Sequence, residues 1–230
     1  MSTPKSYTIY FAGELFSAKH LAGNAAVAQA IYKLSKGKYL PSLPQDLELR
    51  STAAQDIRDT DIHSLLECDL AIFNFDGPEL DSGTVVEFMF AKMADIPCVI
   101  LRSDFRSAGD QPGGDPWNLM ASFYPRSVSV AINSMSLYKE AIGDISDLPL
   151  EARLARSSST LAANYMNEGI AAALIKGLDQ VVELAPALPK HLRASVYEWL
   201  ALMPGFKGDK EQLKIHLQSV LQGKIGKNLL

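Results

Sequence analysis

Three carboxylates, Asp76, Asp81 and Glu87, lie within one short stretch of the chain. Carboxylates serve enzymes as general acids, general bases and nucleophiles. The stretch follows an apolar run at 70–75 with the length of a buried strand, and it precedes an apolar segment at 88–93 that is typical of a helix. Loops that leave the carboxyl ends of strands in an open parallel sheet line the ligand crevice. We therefore expect the three carboxylates to converge at one sheet edge, with Glu87 near the positive end of the helix.

The same residues also have a purely structural interpretation. Thr84 and Glu87 have the spacing of a capping box, in which the two side chains bind backbone N–H groups in the first turn of a helix. Asp76-Gly77-Pro78 has the composition of an ordinary turn. The local pattern alone leaves both interpretations open.

The elements around this loop predict an α/β protein. Apolar, β-branched runs at 7–12 and 97–101 indicate buried strands, and a shorter run indicates one at 128–132. Apolar residues at helical spacing indicate helices at 18–37 and 52–67. Strands that alternate with helices predict a doubly wound, Rossmann- or flavodoxin-like parallel sheet. The segment at 40–46 is too rich in proline for a central strand and indicates a loop or a short edge segment.

The C-terminal third predicts a helical extension. A long helical pattern runs from 158 to 185 and ends at Pro186, and two shorter amphipathic segments follow. Their apolar stripes are more typical of a core or a subunit interface than of a ligand site. We therefore divide the chain into an α/β domain at 1–148 and a helical extension at 149–230.

The composition narrows the possible functions. The 230 residues are 47% hydrophobic and 21% charged, which allows a sizeable core, and the net charge of −4 argues against nonspecific nucleic-acid binding. Without a secretory signal or an apolar run long enough to span a bilayer, we expect a cytoplasmic protein that does not bind membranes. Cys68 and Cys98 suit buried free thiols, and the histidines are scattered. We expect no metal or other cofactor.

Several separated motifs resemble, in the right order, those of the nucleoside 2-deoxyribosyltransferase family. The resemblance covers roughly residues 7 to 140. The motifs are IYFAGELF at 9–16, LPQD at 43–46, NFDG at 74–77, DSGTVVEF at 81–88 and PWNLM at 116–120. A set of separated motifs is more specific than any single one, so the resemblance favours a site at the central loop.

The resemblance implies exchange of nucleobases on 2′-deoxyribose by double displacement, with net retention. Glu87 matches the family's nucleophile, which forms a covalent ester with the sugar, and a carboxylate suits attack on an oxocarbenium-like carbon. Asp81 matches the general acid, a role that requires a raised pKa from crowding by Asp76 and Glu87. Asp76 matches a sugar-binding carboxylate. Tyr10 matches a tyrosine that aligns the nucleophile, although core packing is an alternative role for it.

The resemblance also implies a substrate-binding set and 2′-deoxynucleosides and free nucleobases as ligands. Phe16 and Gln45 fall where the family lines its base pocket. Asn118 and Met120 match residues that reach into a neighbouring subunit's site and bind the 5′ end of the sugar, which implies a homo-oligomer. The predicted set is Gly13, Phe16, Gln45, Gly83, Asn118 and Met120.

Two departures from the family pattern leave the base preference open. Leu15 lies where some relatives carry tryptophan, and the loop at 102–115 is longer than expected. A related class of hydrolases, which cleaves deoxynucleoside 5′-monophosphates, is the main alternative, because Ser82-Gly83 at a helix N-terminus suits a phosphate. A noncatalytic nucleotide sensor is a further alternative.

Overall fold

The computed structural model describes residues 5–47, 53–106, 109–110, 112–143, 148–155 and 158–230. Its sheet has the strand order β2-β1-β3-β4-β5, and every pair of neighbours is parallel. The strands are β1 (Tyr7–Ala12), β2 (Tyr39–Ser42), β3 (Leu70–Asn74), β4 (Cys98–Arg102) and β5 (Ser127–Ala131). This is the flavodoxin-like order, so the predicted doubly wound parallel sheet is confirmed.

Helices connect the strands and follow the last one. They are α1 (Ala18–Leu34), α2 (Pro44–Leu47), α3 (Ala54–Glu67), α4 (Ser82–Met93), α5 (Ser134–Ile142), α6 (Leu150–Ala155), α7 (Ser158–Val181), α8 (Arg193–Ala201) and α9 (Lys210–Gly226). Helix α1 ends before the predicted Gly37, because Lys36 and Gly37 adopt positive φ angles of 55° and 78°. The predicted start of the second long helix, at Thr52, lies outside the described residues. No helix within the described ranges is long and apolar enough to span a membrane.

The strand order places a crevice between β1 and β3. After β1 the chain pairs β2 on one side and then crosses to place β3 on the other side, so the loops after β1 and β3 diverge at the same sheet edge. At this edge Gly13 follows β1 directly, and a Cβ atom at Gly13 would lie 3.0 Å from the Cβ atom of Asn74. The loop after β1 therefore packs closely against the end of β3.

The two faces of the sheet support two separate hydrophobic cores. Tyr10 and Phe73 point to one face, where α3, α4, α8 and α9 contribute apolar side chains. Ile9 and Ile72 point to the opposite face, which α1 and α7 cover. Because successive strand residues alternate between faces, the central strands are buried on both sides. The proline-rich segment, which the sequence left open as a loop or a short edge segment, begins with the edge strand β2 and continues into α2.

The helices of the C-terminal extension complete both cores. Leu174 and Leu178 of α7 are fully buried, and a Cβ at Gly177 would lie 3.1–3.2 Å from side chains of Val99 and Val130, so α7 packs closely on β4 and β5. The stripe on α7 is thus core in its C-terminal half, whereas Leu161 is 66% exposed. Helices α8 and α9 pack on the other face. The division of the chain at residue 148 stays a prediction.

Candidate active site

Helix α4 begins directly after Asp81, which is its N-cap. Oδ2 of Asp81 accepts hydrogen bonds from the backbone N–H of Thr84 at 2.7 Å and from the Thr84 hydroxyl at 2.8 Å. The capping box formed by Thr84 and Glu87 is therefore wrong, because Thr84 already lies inside the first turn. Because Asp81 and not Thr84 is the N-cap, the side chain of Glu87 is available for a contact outside its own helix.

Glu87 makes that contact with the first strand. The hydroxyl of Tyr10 donates a hydrogen bond of 2.6 Å to Oε1 of Glu87, and Tyr10 itself is fully buried. Burial and the neighbouring carboxylate of Glu87 raise the pKa of Tyr10, so its phenol stays protonated and acts as the donor. The bond fixes the direction of the Glu87 carboxylate relative to the sheet.

The carboxylate of Glu87 binds its proton more tightly than an ordinary glutamate does. Burial raises the pKa of Glu87 to about 7, and the negative charges of Asp61 and Asp81 act in the same direction. The hydrogen bond from Tyr10 opposes these effects because it stabilises the ionised carboxylate. The raised pKa thus belongs to the residue that matches the family's nucleophile. A carboxylate that ionises near neutral pH is typical of catalytic sites.

A cavity of about 420 Å³ opens in front of Glu87, between α3 and the start of α4. Its lining residues are Ala54, Ile57, Arg58, Asp61, Ile62, Ser82, Gly83, Val86 and Glu87. Apolar walls with a few convergent polar groups are typical of small-molecule sites. Among the described residues no group of three or more His, Cys, Asp or Glu side chains is arranged to hold a metal ion.

Two polar residues of this cavity, Arg58 and Asp61, were not predicted from the sequence. They follow Ala54 and Ile57 along one face of α3, at the spacing of neighbours on a helix. Polar side chains that interrupt the apolar stripe of a helix are the signal that would have identified them. Asp61 matters most for the chemistry, because its charge acts on both Glu87 and Tyr10.

Comparison with known proteins gives a family match for about the first half of the chain. Residues 9–121 match the sequence profile described as nucleoside 2-deoxyribosyltransferase. Over these residues the chain is similar to the nucleoside 2-deoxyribosyltransferase family. The match includes Tyr10, Asp81 and Glu87, whose geometry is given above, and residues 122–230 lie outside it.

Solved structures resemble the chain over about half of its length. A conserved protein from Enterococcus faecalis is 27% identical, with 55% of this chain and 91% of that chain covered and a TM-score of 0.48. A 2-desoxiribosyltransferase from Leishmania mexicana is 26% identical, covers 53% and 89%, and has a TM-score of 0.43. A CMP N-glycosidase from Clostridium botulinum is 13% identical, covers 55% and 89%, and has a TM-score of 0.38. No curated protein matches the chain significantly.

The third carboxylate of the deoxyribosyltransferase motifs, Asp76, binds the loop that follows β4. Its Oδ1 accepts from the backbone N–H groups of Ser103 at 2.6 Å and Asp104 at 2.8 Å, and its Oδ2 accepts from the Ser103 hydroxyl at 2.6 Å. Asp76 thus holds the loop after β4, and it lines neither the Glu87 cavity nor the second cavity described below. The expectation that Asp76 converges with Asp81 and Glu87 on one site therefore stays a prediction.

Asn118 and Met120 line a second cavity of about 730 Å³, on the other side of the start of α4. Ser82 and Val86 line both cavities, so the two are neighbours. Oδ1 of Asn118 accepts from the backbone N–H of Met120 at 2.9 Å, and the Met120 side chain is 72% exposed. Within one chain, these two residues therefore face a different cavity from the one in front of Glu87.

The remaining residues predicted from the deoxyribosyltransferase motifs are dispersed around the crevice. Gly83 lines the Glu87 cavity, whereas Gly13 lies at the end of β1. Phe16 is 76% exposed, and Nε2 of Gln45 donates to the carbonyl oxygen of Leu21 at 3.1 Å. Phe16 and Gln45 line neither cavity, so their assignment to the base pocket stays a prediction.

Proposed function

We propose that this protein exchanges nucleobases on 2′-deoxyribose through a covalent ester between the sugar and Glu87. The observation that carries the proposal is the 2.6 Å hydrogen bond from Tyr10 to Glu87 at the wall of a cavity of about 420 Å³. It presents an aligned carboxylate to a ligand-sized space, within the segment that matches the deoxyribosyltransferase family. Alignment by a neighbouring side chain is what a nucleophilic carboxylate requires.

The first half of the reaction breaks the glycosidic bond. A carboxylate oxygen of ionised Glu87 attacks C1′ of the deoxyribose, and the bond from C1′ to the base nitrogen breaks with its electron pair on the nitrogen. A general acid donates a proton to the departing base. The transition state carries positive charge on the sugar, which the Glu87 carboxylate stabilises before the ester forms.

The second half reverses these steps with a new base. A ring nitrogen of the incoming base attacks C1′, the ester bond breaks, and its electron pair returns to Glu87. The proton of the incoming base passes to the residue that acted as the acid. Because each half inverts C1′, the product has the configuration of the substrate.

We assign the general acid role to Asp81. Its charge acts on Glu87, and its bonds to Thr84 use one carboxylate oxygen, Oδ2. The cap therefore fixes Asp81 at the start of α4, beside Ser82 and Gly83 of the cavity wall. Asp76 retains the proposed role of a sugar-binding carboxylate, and a sugar hydroxyl would have to share it with the loop after β4.

We propose that a neighbouring copy completes the site. Asn118 and Met120 line the neighbouring cavity instead of the Glu87 cavity of their own chain, and the exposed Met120 side chain is available to a partner. A homo-oligomer in which these residues contact the 5′ end of a sugar in the adjacent subunit accounts for that exposure. We further propose a cytoplasmic role in nucleoside salvage, since the reaction uses only nucleosides and free bases.

A base-exchange experiment tests the proposal. The protein is incubated with thymidine plus adenine, or with deoxyinosine plus adenine, beside matched samples without adenine, and products are separated by chromatography. Deoxyadenosine in both samples is the result for a broad transferase, and deoxyadenosine only from deoxyinosine is the result for a purine-restricted one. Free base released equally with and without adenine would favour a hydrolase. A parallel sample with deoxynucleoside 5′-monophosphates identifies the phosphate-dependent hydrolase.

A further inference from the structure

The segment between α8 and α9, residues 202–209, reaches across to α3. We call it the α8–α9 turn. The carbonyl oxygen of Gly205 accepts hydrogen bonds from Nε2 of Gln55 at 2.9 Å and from Nη2 of Arg58 at 2.6 Å. The backbone N–H of Lys207 donates to Oδ2 of Asp59 at 2.9 Å. Three residues of α3 are thus bound by two backbone groups of the C-terminal extension.

Asp59 binds both the turn and the side chain of Arg58. It is 6% exposed, and its Oδ1 accepts from Nε of Arg58 at 2.8 Å. Burial would raise the pKa of Asp59, but the hydrogen bonds from Lys207 and Arg58 outweigh it and hold the pKa below its ordinary value. An ionised Asp59 therefore holds the guanidinium of Arg58 in place, and Arg58 is a lining residue of the Glu87 cavity.

Phe206 in the same turn packs between the two helices that wall the cavity. Its ring meets His63 of α3 edge-on, with centroids 4.7 Å apart, and lies 6.3 Å from the ring of Phe90 of α4. His63 follows the cavity residue Asp61 by two positions, and Phe90 follows Glu87 by three. The ring thus fills the space between α3 and α4 about one turn below the cavity.

The local sequence fixes the shape of the turn. Gly205 and Gly208 have φ angles of +95° and +108°, a region that side-chain-bearing residues rarely adopt. Asp209 then caps α9 by accepting from the backbone N–H groups of Glu211 at 2.8 Å and Gln212 at 3.1 Å. A turn shaped by these two glycines and fixed by the cap of α9 can transmit the position of the extension to α3.

We infer that the α8–α9 turn is a positioning element for the Glu87 cavity, which sets the distance of the α3 wall and the orientation of Arg58 relative to Glu87. The hydrogen bonds and ring contacts of the turn described above involve residues of α3 and α4 other than Glu87, so we expect it to act on the space that receives the substrate rather than on the nucleophile. The expected change in KM rests on the proposed function, whereas the expected change in amide hydrogen exchange does not.

The kinetic arm compares Phe206→Ala with two matched variants. Phe206→Ala should raise KM for a deoxynucleoside about tenfold while kcat stays within about twofold, because uniform binding is lost and the nucleophile keeps its bond to Tyr10. Phe206→Leu, which restores apolar volume, should recover most of that KM. Leu178→Ala truncates a fully buried side chain of the extension on the opposite face of the sheet, and it should lower thermal stability without changing KM.

The structural arm measures amide hydrogen exchange and needs no turnover. Phe206→Ala should speed exchange in peptides from α3 about tenfold and leave α1 unchanged, whereas Leu178→Ala should speed exchange in α7 and not in α3. If the wild type lacks turnover, the proposed function fails and hydrogen exchange alone decides the inference. Unchanged α3 exchange in Phe206→Ala, an unchanged KM in an active enzyme, or an equal KM increase in Leu178→Ala would each overturn it.

Discussion

The hydroxyl of Tyr10 donates a 2.6 Å hydrogen bond to Oε1 of Glu87 and so joins the first strand to helix α4. The bond stabilises the ionised carboxylate in a partly buried position that would otherwise favour the protonated form. With a pKa of about 7, Glu87 changes charge near neutral pH. The rate and the stability of the protein should therefore both depend on pH, and in opposite directions.

Tyr10→Phe should raise the pKa of Glu87 further, because it removes the one interaction here that lowers it. If ionised Glu87 is the nucleophile, kcat/KM falls about tenfold per pH unit below its pKa. We expect the acid limb of the pH profile to move to higher pH in Tyr10→Phe, and the rate above pH 8 to fall about tenfold from lost alignment. An acid limb that stays in place would contradict the assignment of this limb to Glu87.

Asp61→Asn should move the same limb in the opposite direction. The negative charge of Asp61 raises the pKa of Glu87, so its removal lets Glu87 ionise at lower pH. The matched control is Glu67→Gln, which removes an exposed charge from the last residue of the same helix. Initial rates between pH 5 and pH 9 measure both variants. Equal shifts in the two variants would show a general charge effect instead of a specific one.

Glu87→Gln should stabilise the folded protein at pH 8. The folded-state pKa of about 7 lies above the ordinary 4.5, so the folded state binds the proton more tightly. Stability from this group is therefore full below about pH 4.5 and declines as pH rises to 7. A glutamine keeps an acceptor for Tyr10 without the charge, and the free energy of unfolding should rise by roughly 2 kcal/mol at pH 8. Urea unfolding at pH 5 and pH 8 checks this, and a gain that does not grow with pH would contradict it.

Asp81→Asn should separate proton donation from helix capping. Asparagine caps a helix about as well as aspartate, so stability should change by less than about 0.5 kcal/mol. Release of a purine should slow by about a hundredfold, because the amide cannot donate an acidic proton. Asp81→Ala should add a loss of about 1 kcal/mol from the missing cap. An unchanged rate of purine release in Asp81→Asn would mean that another group supplies the proton.

The sheet was predictable because its strands carry their own signals. The apolar runs that became β1, β3 and β4 are buried on both faces, so composition alone marks them. The prolines in 40–46 excluded a central strand and left a loop or a short edge segment, of which the edge strand β2 is the second. The extension was predictable as helices but not in its placement. An amphipathic stripe reveals which side of a helix is buried and not which face of a sheet receives it.

The candidate site was only partly predictable, because three details depend on contacts between distant residues. Asp81 and Thr84 are both suitable N-cap residues, and in the structure the helix begins directly after Asp81. The carboxylate of Asp76 accepts hydrogen bonds from Ser103, which lies far along the chain. Asp61 faces Glu87 only because α3 packs beside α4, which no local pattern encodes.

The most direct test of the account is detection of the sugar ester on Glu87. The protein is mixed with a deoxynucleoside in the absence of an acceptor base, quenched in acid, digested and analysed by mass spectrometry. We expect the peptide that contains Glu87 to gain the mass of one deoxyribosyl group, the gain to disappear when adenine is added, and Glu87→Ala to lack both adduct and exchange. Base exchange without this adduct, or near wild-type exchange in Glu87→Ala, would contradict the proposed role of Glu87.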